Sequence, residues 1–176
     1  MSATDLIPIR SERATALADL HRRCMPAADG WAEPGLKRLI DADAARGFQA
    51  EQDGAVIGFI LAFAAADEAE VLAICVAPEH RRQGLGRALL QKLERQLAAE
   101  QIVRLYLEAR VSNLGARELY VRAGFGETGR RKGYYSVTDG QAAEDAVLMA
   151  KSIGIAEVGL SDVALQANPF PIALDR

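Results

Sequence analysis

Leucines spaced four apart set the pattern in the middle of the chain. Leu85, Leu89, Leu93 and Leu97 recur with Leu90 beside them, so residues 85–99 predict a helix with one apolar face. The apolar, β-branched run 70–76 before it predicts a strand. Pro78 ends that strand, because proline has no N–H for a ladder. Residues 81–86 therefore lie where a strand hands over to a helix.

Upstream, residues 6–10 predict an edge strand that tolerates Pro8. Ser11 is placed to cap a helix through Leu17, Leu20 and Cys24, which residues 26–30 break. His21 on that helix reads as a partly exposed polar residue rather than a ligand. Leu36, Leu39 and Ile40, after Trp31, Glu33 and Pro34, predict a second short helix. Residues 48–51 and 55–66 predict a hairpin turned at Asp53-Gly54, and Asp67-Glu68 marks the next turn.

Downstream, residues 102–108 alternate as a strand closed by Glu108. Residues 113–122 predict a helix begun by Ser112 and Asn113 and ended at Gly124. Residues 125–135 and 146–151 predict two closing strands around a polar loop at 136–145. Periodicity fades after residue 152, and 156–176 reads as a tail with Asn168-Pro169 and Pro171. The expected organisation is one α/β domain over 1–153, a sheet with helices on both faces, and a tail over 154–176.

Composition supports a single globular domain: 176 residues, 50% hydrophobic and 26% charged. A net charge of −3 argues against broad nucleic-acid binding. The only cysteines, Cys24 and Cys75, lack metal-ligand spacing, so neither a disulfide framework nor a metal site is expected. Cys75 reads as a small buried hydrophobe. No signal peptide and no membrane-length apolar run is visible. The expectation is a cytoplasmic monomer or weak homo-oligomer, with neither nucleic acid nor membrane as partner.

The handover at 81–86 carries candidate chemistry. A helix start offers free N–H groups and partial positive charge. Gly84 and Gly86 let a ligand approach the backbone, and Arg81, Arg82 and Arg87 add charge. Together they predict a phosphate or pyrophosphate seat. The dinucleotide fingerprint is excluded by Leu89 in place of its third glycine. A Walker loop is excluded by Arg87-Ala88 after Gly86. The bland alternative is an ordinary strand–helix turn with a basic start. Glu108 at a strand end suits a general base. Tyr120, two helical turns after Asn113, is expected to face the same cleft.

The spacing Arg81-x-x-Gly84-x-Gly86 after Val76-x-Pro78 resembles the pyrophosphate loop of the Gcn5-related N-acetyltransferase (GNAT) family. The run from Leu105 through Glu108 and Arg110 to Ser112-Asn113, then Leu119-Tyr120 and Ala123-Gly124-Phe125, resembles one branch of it. So do Tyr134-Tyr135 and Glu144-Asp145-Ala146. That branch is the bacterial ribosomal-protein-alanine N-acetyltransferases, the RimI type. The likeness covers about residues 6–153 and is densest from Glu70 onward.

The resemblance implies the GNAT fold, a mixed and mostly antiparallel sheet with helices on both faces. It implies acetyl-CoA as co-substrate, no metal, and direct transfer to a protein N-terminus, the alanine of a small-subunit ribosomal protein. Glu108 matches the family's proton acceptor and Tyr120 its proton donor. Asn113 matches a coenzyme contact. Ile74, Cys75 and Val76 match the strand that pairs with the pantetheine arm. Arg81, Arg82, Gln83, Gly84, Leu85, Gly86 and Arg87 match the pyrophosphate loop, and Tyr134 and Tyr135 match the segment near the peptide groove. Ser136 departs from the proline that follows the tyrosine pair in some members. Two alternatives stand beside this reading: a lysine or small-molecule amine as acceptor, and a non-catalytic acetyl-CoA-binding module.

Overall fold

Residues 4–25, 30–135 and 143–154 are described by a computed structural model, and their strands join in one sheet. The strands are β1 (Asp5–Pro8), β2 (Ala45–Gln52), β3 (Ala55–Ala65), β4 (Glu68–Val76), β5 (Arg104–Arg110), β6 (Gly126–Tyr135) and β7 (Glu144–Ser152). Their order is β1-β2-β3-β4-β5-β7-β6. All neighbours are antiparallel except β4 and β5, which are parallel. Asp53 (φ 51°) and Gly54 (φ 77°) turn the β2–β3 hairpin in the left-handed region, as a tight two-residue turn requires.

Helices α1 (Ala14–Cys24) and α2 (Glu33–Ile40) cover one face; α3 (Leu85–Ala99) and α4 (Leu114–Arg122) cover the other. β3 shows the division: Phe59 and Leu61 pack with Leu17, Leu20 and Leu36, whereas Ile60 and Ala62 pack with the α3 leucines. Burial on both faces explains its unbroken apolar run. Leu89, Leu90, Leu93 and Leu97 are at most 1% exposed. Each such side chain contributes about 1.5–3 kcal/mol by leaving water.

The feature that matters for function is a split in this sheet. β4 and β5 pair only from Glu68↔Arg104 to Val71↔Leu107. Beyond that, β4 continues along β3 to Val76, and β5 continues along β7 to Arg110. The β3–β4 register shifts between Leu61↔Ala73 and Ala62↔Val71, which leaves Leu72 as a bulge. A bulge bends and twists its strand, and here it sits where β4 parts from β5.

Several expectations change in detail. Ser11 does not cap α1; it begins a 3-10 turn, and its Oγ accepts from Lys37 Nζ at 3.3 Å. His21 is not partly exposed. It is buried at 2%, stacked on Trp31 (4.4 Å, 7°), with Nδ1 accepting the Trp31 N–H at 3.1 Å. β5 starts later than expected because the Ile102 N–H closes the end of α3 on Leu97 C=O. It also runs two residues past Glu108. The breaker at 26–29, the loop at 136–142 including Ser136, and the tail at 155–176 lie outside the described residues.

Candidate active site

The loop after β4 makes its turn with backbone torsion. Arg82 (φ 62°) and Gly84 (φ 85°) both take left-handed conformations. Gly84 precedes α3 without a side-chain cap, and the first turn holds no acidic residue. The leading N–H groups therefore keep their donors and partial charge for an anion. A Cβ on Gly84 would meet nothing within 4 Å, so torsion rather than space calls for glycine there. Gly86 has a further packing role. Its Cβ would come within 3.3 Å of Leu119 Cδ2, so this glycine lets α3 approach α4.

The loop's polar groups already have protein partners. Arg81 Nε donates to the Val76 carbonyl at 3.1 Å, and Gln83 Nε2 to that of Glu79 at 3.2 Å. Arg82 Nη1 lies 3.2 Å from one oxygen of Glu118, whose other oxygen lies 2.7 Å from Arg122 Nη2. These arginines, Arg82 first, hold the Glu118 carboxyl below the usual carboxylate range. Glu118 escaped the sequence reading, since nothing in the pattern ties α4 to residue 82. Leu85 packs with the core. Arg87 lines a cavity of about 200 Å³ with Glu94, Arg122 and Lys151. Asn113 Oδ1 caps α4, accepting the Ala116 N–H at 3.2 Å.

The split in the sheet supplies the cleft. The Ala77 N–H donates to Ile57 C=O at 2.9 Å. By antiparallel alternation, the polar groups of Cys75 then face β3, while those of Ile74 and Val76 face the gap toward β5.

Glu108 is the first β5 residue past the last β4–β5 pair, and Tyr120 lies on the other face of the sheet. Leu105, Leu107 and Ala109 join the core under α3 and α4, so the intervening Glu108 points to the α1–α2 face. Its side chain is 11% exposed and pairs with Arg131 Nη1 at 3.1 Å. Burial pushes its carboxyl above the ordinary range, and Arg131 opposes part of that rise. Tyr120 is 5% exposed in the α3–α4 core, its ring 5.8 Å from Phe125. Burial foremost, then Cys75 and Tyr135, pushes its phenol well above normal. The two residues lie on opposite faces of the sheet.

Arg131 was missed as a site residue. It reaches Glu108 across β7, and its guanidinium sits 5.2 Å over the Tyr134 ring. Contact across an intervening strand leaves no spacing signal in the sequence. The β6–β7 register jumps between Arg131↔Ala146 and Tyr135↔Glu144, a bulge that re-aims the tyrosine pair. Tyr134 meets Tyr135 edge-on at 5.0 Å, and Arg110 lies 4.1 Å over Tyr135. No group of three potential metal-ligating side chains occurs among the described residues. No described helix is long and apolar enough to cross a membrane.

Residues 14–125 match the Acetyltransferase (GNAT) family. The chain is 43% identical over 108 residues to the [ribosomal protein bS18]-alanine N-acetyltransferase of Escherichia coli K12, covering 61% of this chain and 72% of that one. It is 39% identical over 99 residues to the enzyme of the same name from Haemophilus influenzae, covering 56% and 66%. The crystal structure of the ribosomal-protein-S18-alanine N-acetyltransferase from Escherichia coli superposes with a TM-score of 0.80 and 32% identity, covering 91% of this chain and all of that one. Arabidopsis thaliana NAA60, solved with a bisubstrate analogue, shares the fold at TM-score 0.75 and 19% identity, covering 86% and 98%. The match to the family spans most of the chain, and the split sheet and glycine-led helix start fit it: this protein is a member of the GNAT acetyltransferase family.

Proposed function

We propose that this acetyltransferase moves the acetyl group of acetyl-CoA to the N-terminal α-amine of a protein, with the alanine terminus of ribosomal protein bS18 as acceptor. The observation that carries the reading is the split of β4 from β5 after Val71↔Leu107, with Glu108 the next residue on β5 and the uncapped start of α3 following β4. The relatives named above, which act on that alanine, support the acceptor.

The residues present fit the coenzyme. Donors at the start of α3 suit a pyrophosphate, and the open side of Gly84 leaves room for it. Ile74 and Val76 offer backbone groups along the gap. Bound acetyl-CoA supplies an activated thioester.

Glu108 takes the amine proton directly or through water, and its raised carboxyl makes it a stronger base than an exposed glutamate. An α-amine with a pKa near 8 is about a tenth neutral at pH 7; a lysine costs about 3 kcal/mol more to deprotonate. N–H groups facing the gap are placed to stabilise charge on the carbonyl oxygen. Tyr120, held protonated by burial, donates to the departing sulfur. Tyr134 and Tyr135 line the route of the peptide.

The test is a competition. A peptide with a free N-terminal alanine and its N-blocked, lysine-bearing version are incubated with acetyl-CoA and weighed. Gain of one acetyl group on the free terminus alone is expected. Acetylation of the blocked peptide, or of neither, would overturn the reading.

A further inference from the structure

Cys24 and Cys75 are the sequence's only cysteines, and the proposed transfer uses neither thiol. They come from different elements, the end of α1 and β4, yet they share one core layer. Cys24 Sγ lies 3.4 Å from the carbonyl of Val76, the residue next to Cys75. Cys75, 1% exposed, belongs to the core layer against which Cys24 packs, on the same face of the sheet. Arg81 Nε binds the same Val76 carbonyl at 3.1 Å, so a permanent positive charge stands beside the pair. Cys24 is half-buried, within reach of a small solute.

The surroundings give the two sulfurs different characters. The hydrogen bond from Cys75, followed by Arg81, brings the Cys24 thiol down to about 6 against an opposing effect of burial. The lowering favours the thiolate of Cys24, the form that attacks electrophiles. Hydrogen bonding to Cys24, together with burial, pushes Cys75 up and keeps it a thiol.

We propose that Cys24 is a peroxide-reactive thiol that closes onto Cys75 as an intramolecular disulfide and thereby switches off acetyl transfer; the last clause rests on the function proposed above. The Cys24 thiolate attacks one oxygen of hydrogen peroxide. An S–O bond forms, the O–O bond breaks, and hydroxide leaves and takes a proton from solvent to become water. Cys75 then gives up its proton and attacks the Cys24 sulfur. The S–S bond forms, the S–O bond breaks, and the hydroxide leaves with that proton as a second water. Two electrons pass from the two sulfurs to one peroxide.

The bridge acts through place. Closing to bonding distance requires the sulfurs to approach to about 2 Å, which draws Cys75 toward α1. Its neighbours Ile74 and Val76 carry the backbone groups that face the gap. Displacing them disturbs the acetyl-binding edge while Glu108 and Tyr120 stay intact.

The test treats the reduced full-length protein with hydrogen peroxide and reads mass and activity separately. Loss of two hydrogens is expected, with a single Cys24–Cys75 cross-linked peptide and at least a tenfold fall in turnover, all reversed by dithiothreitol. Cys24→Ser keeps its basal activity, shows no such mass change and resists peroxide. Cys75→Ala accumulates a sulfenic acid at Cys24 that dimedone traps. Two free, alkylatable cysteines after treatment would overturn the proposal, and so would a bridged protein that acetylates at the unbridged rate. The mass readout needs no acceptor. A reduced enzyme that acetylates no peptide therefore counts against the proposed function, while the thiol pair is judged by mass.

Discussion

Replacing Tyr120 with phenylalanine separates packing from chemistry at the proposed site. The ring remains, 5% exposed and packed in the core beside Phe125. Only the hydroxyl is lost. Among the described residues that hydroxyl has no hydrogen-bond partner, so its removal orphans nothing. Stability should change by no more than about 0.5–1 kcal/mol, a Tm shift of at most about 2–4 °C for a chain of this size. Tyr120→Ala would instead empty the ring's volume, at a cost of about 3–5 kcal/mol. The chemical loss is larger than the Phe variant's packing change. A positioned proton donor contributes about 10²- to 10⁴-fold. A thiol with a pKa near 8.5 is already a fair leaving group, which favours the lower end. A loss of about a hundredfold in kcat, about 2.7 kcal/mol of barrier, is expected. Burial keeps the phenol protonated through the working range, so the deficit should not vary with pH there. The assay is initial rate at saturating acetyl-CoA with an N-terminal alanine peptide, alongside a thermal melt. A variant that melts with wild type and turns over within a factor of two would show that Tyr120 is only core.

Other outcomes follow from the same geometry. Arg131→Met removes the charge that opposes the rise of Glu108, so the carboxyl moves further up. The acid limb of kcat/KM should shift to higher pH, with a deeper loss near about pH 6 than near about pH 9; an unshifted limb would remove Glu108 as the base. Gly84→Val forces a β-branched residue to φ 85° at a strain of about 1–2 kcal/mol or more, and Arg82→Ala removes a loop charge. Both should weaken acetyl-CoA binding by calorimetry, and unchanged affinity in both would refute the loop assignment. Asn113→Ala loses the α4 cap, worth about 1 kcal/mol; a fall of about 2–4 °C in Tm is expected, and an unmoved Tm would deny the cap any weight.

The sequence alone determined the element order and, at α3, the bounds themselves, because a four-residue leucine repeat and a proline stop are local signals. It also determined the left-handed Asp53-Gly54 turn and the Asn113 cap, which depend only on neighbouring backbone. The residues that resemble the GNAT family lay in short continuous motifs and were legible for the same reason. Tertiary structure decided what depends on distant partners. Trp31 closing over His21, Arg131 reaching Glu108 across β7, and Glu118 gathering Arg82 and Arg122 leave no periodic trace. It also decided that β4 and β5 part after Val71↔Leu107, and that Glu108 and Tyr120 lie on opposite faces of the sheet. Local torsion and periodicity are written residue by residue, but a gap between strands exists only once the whole sheet is paired.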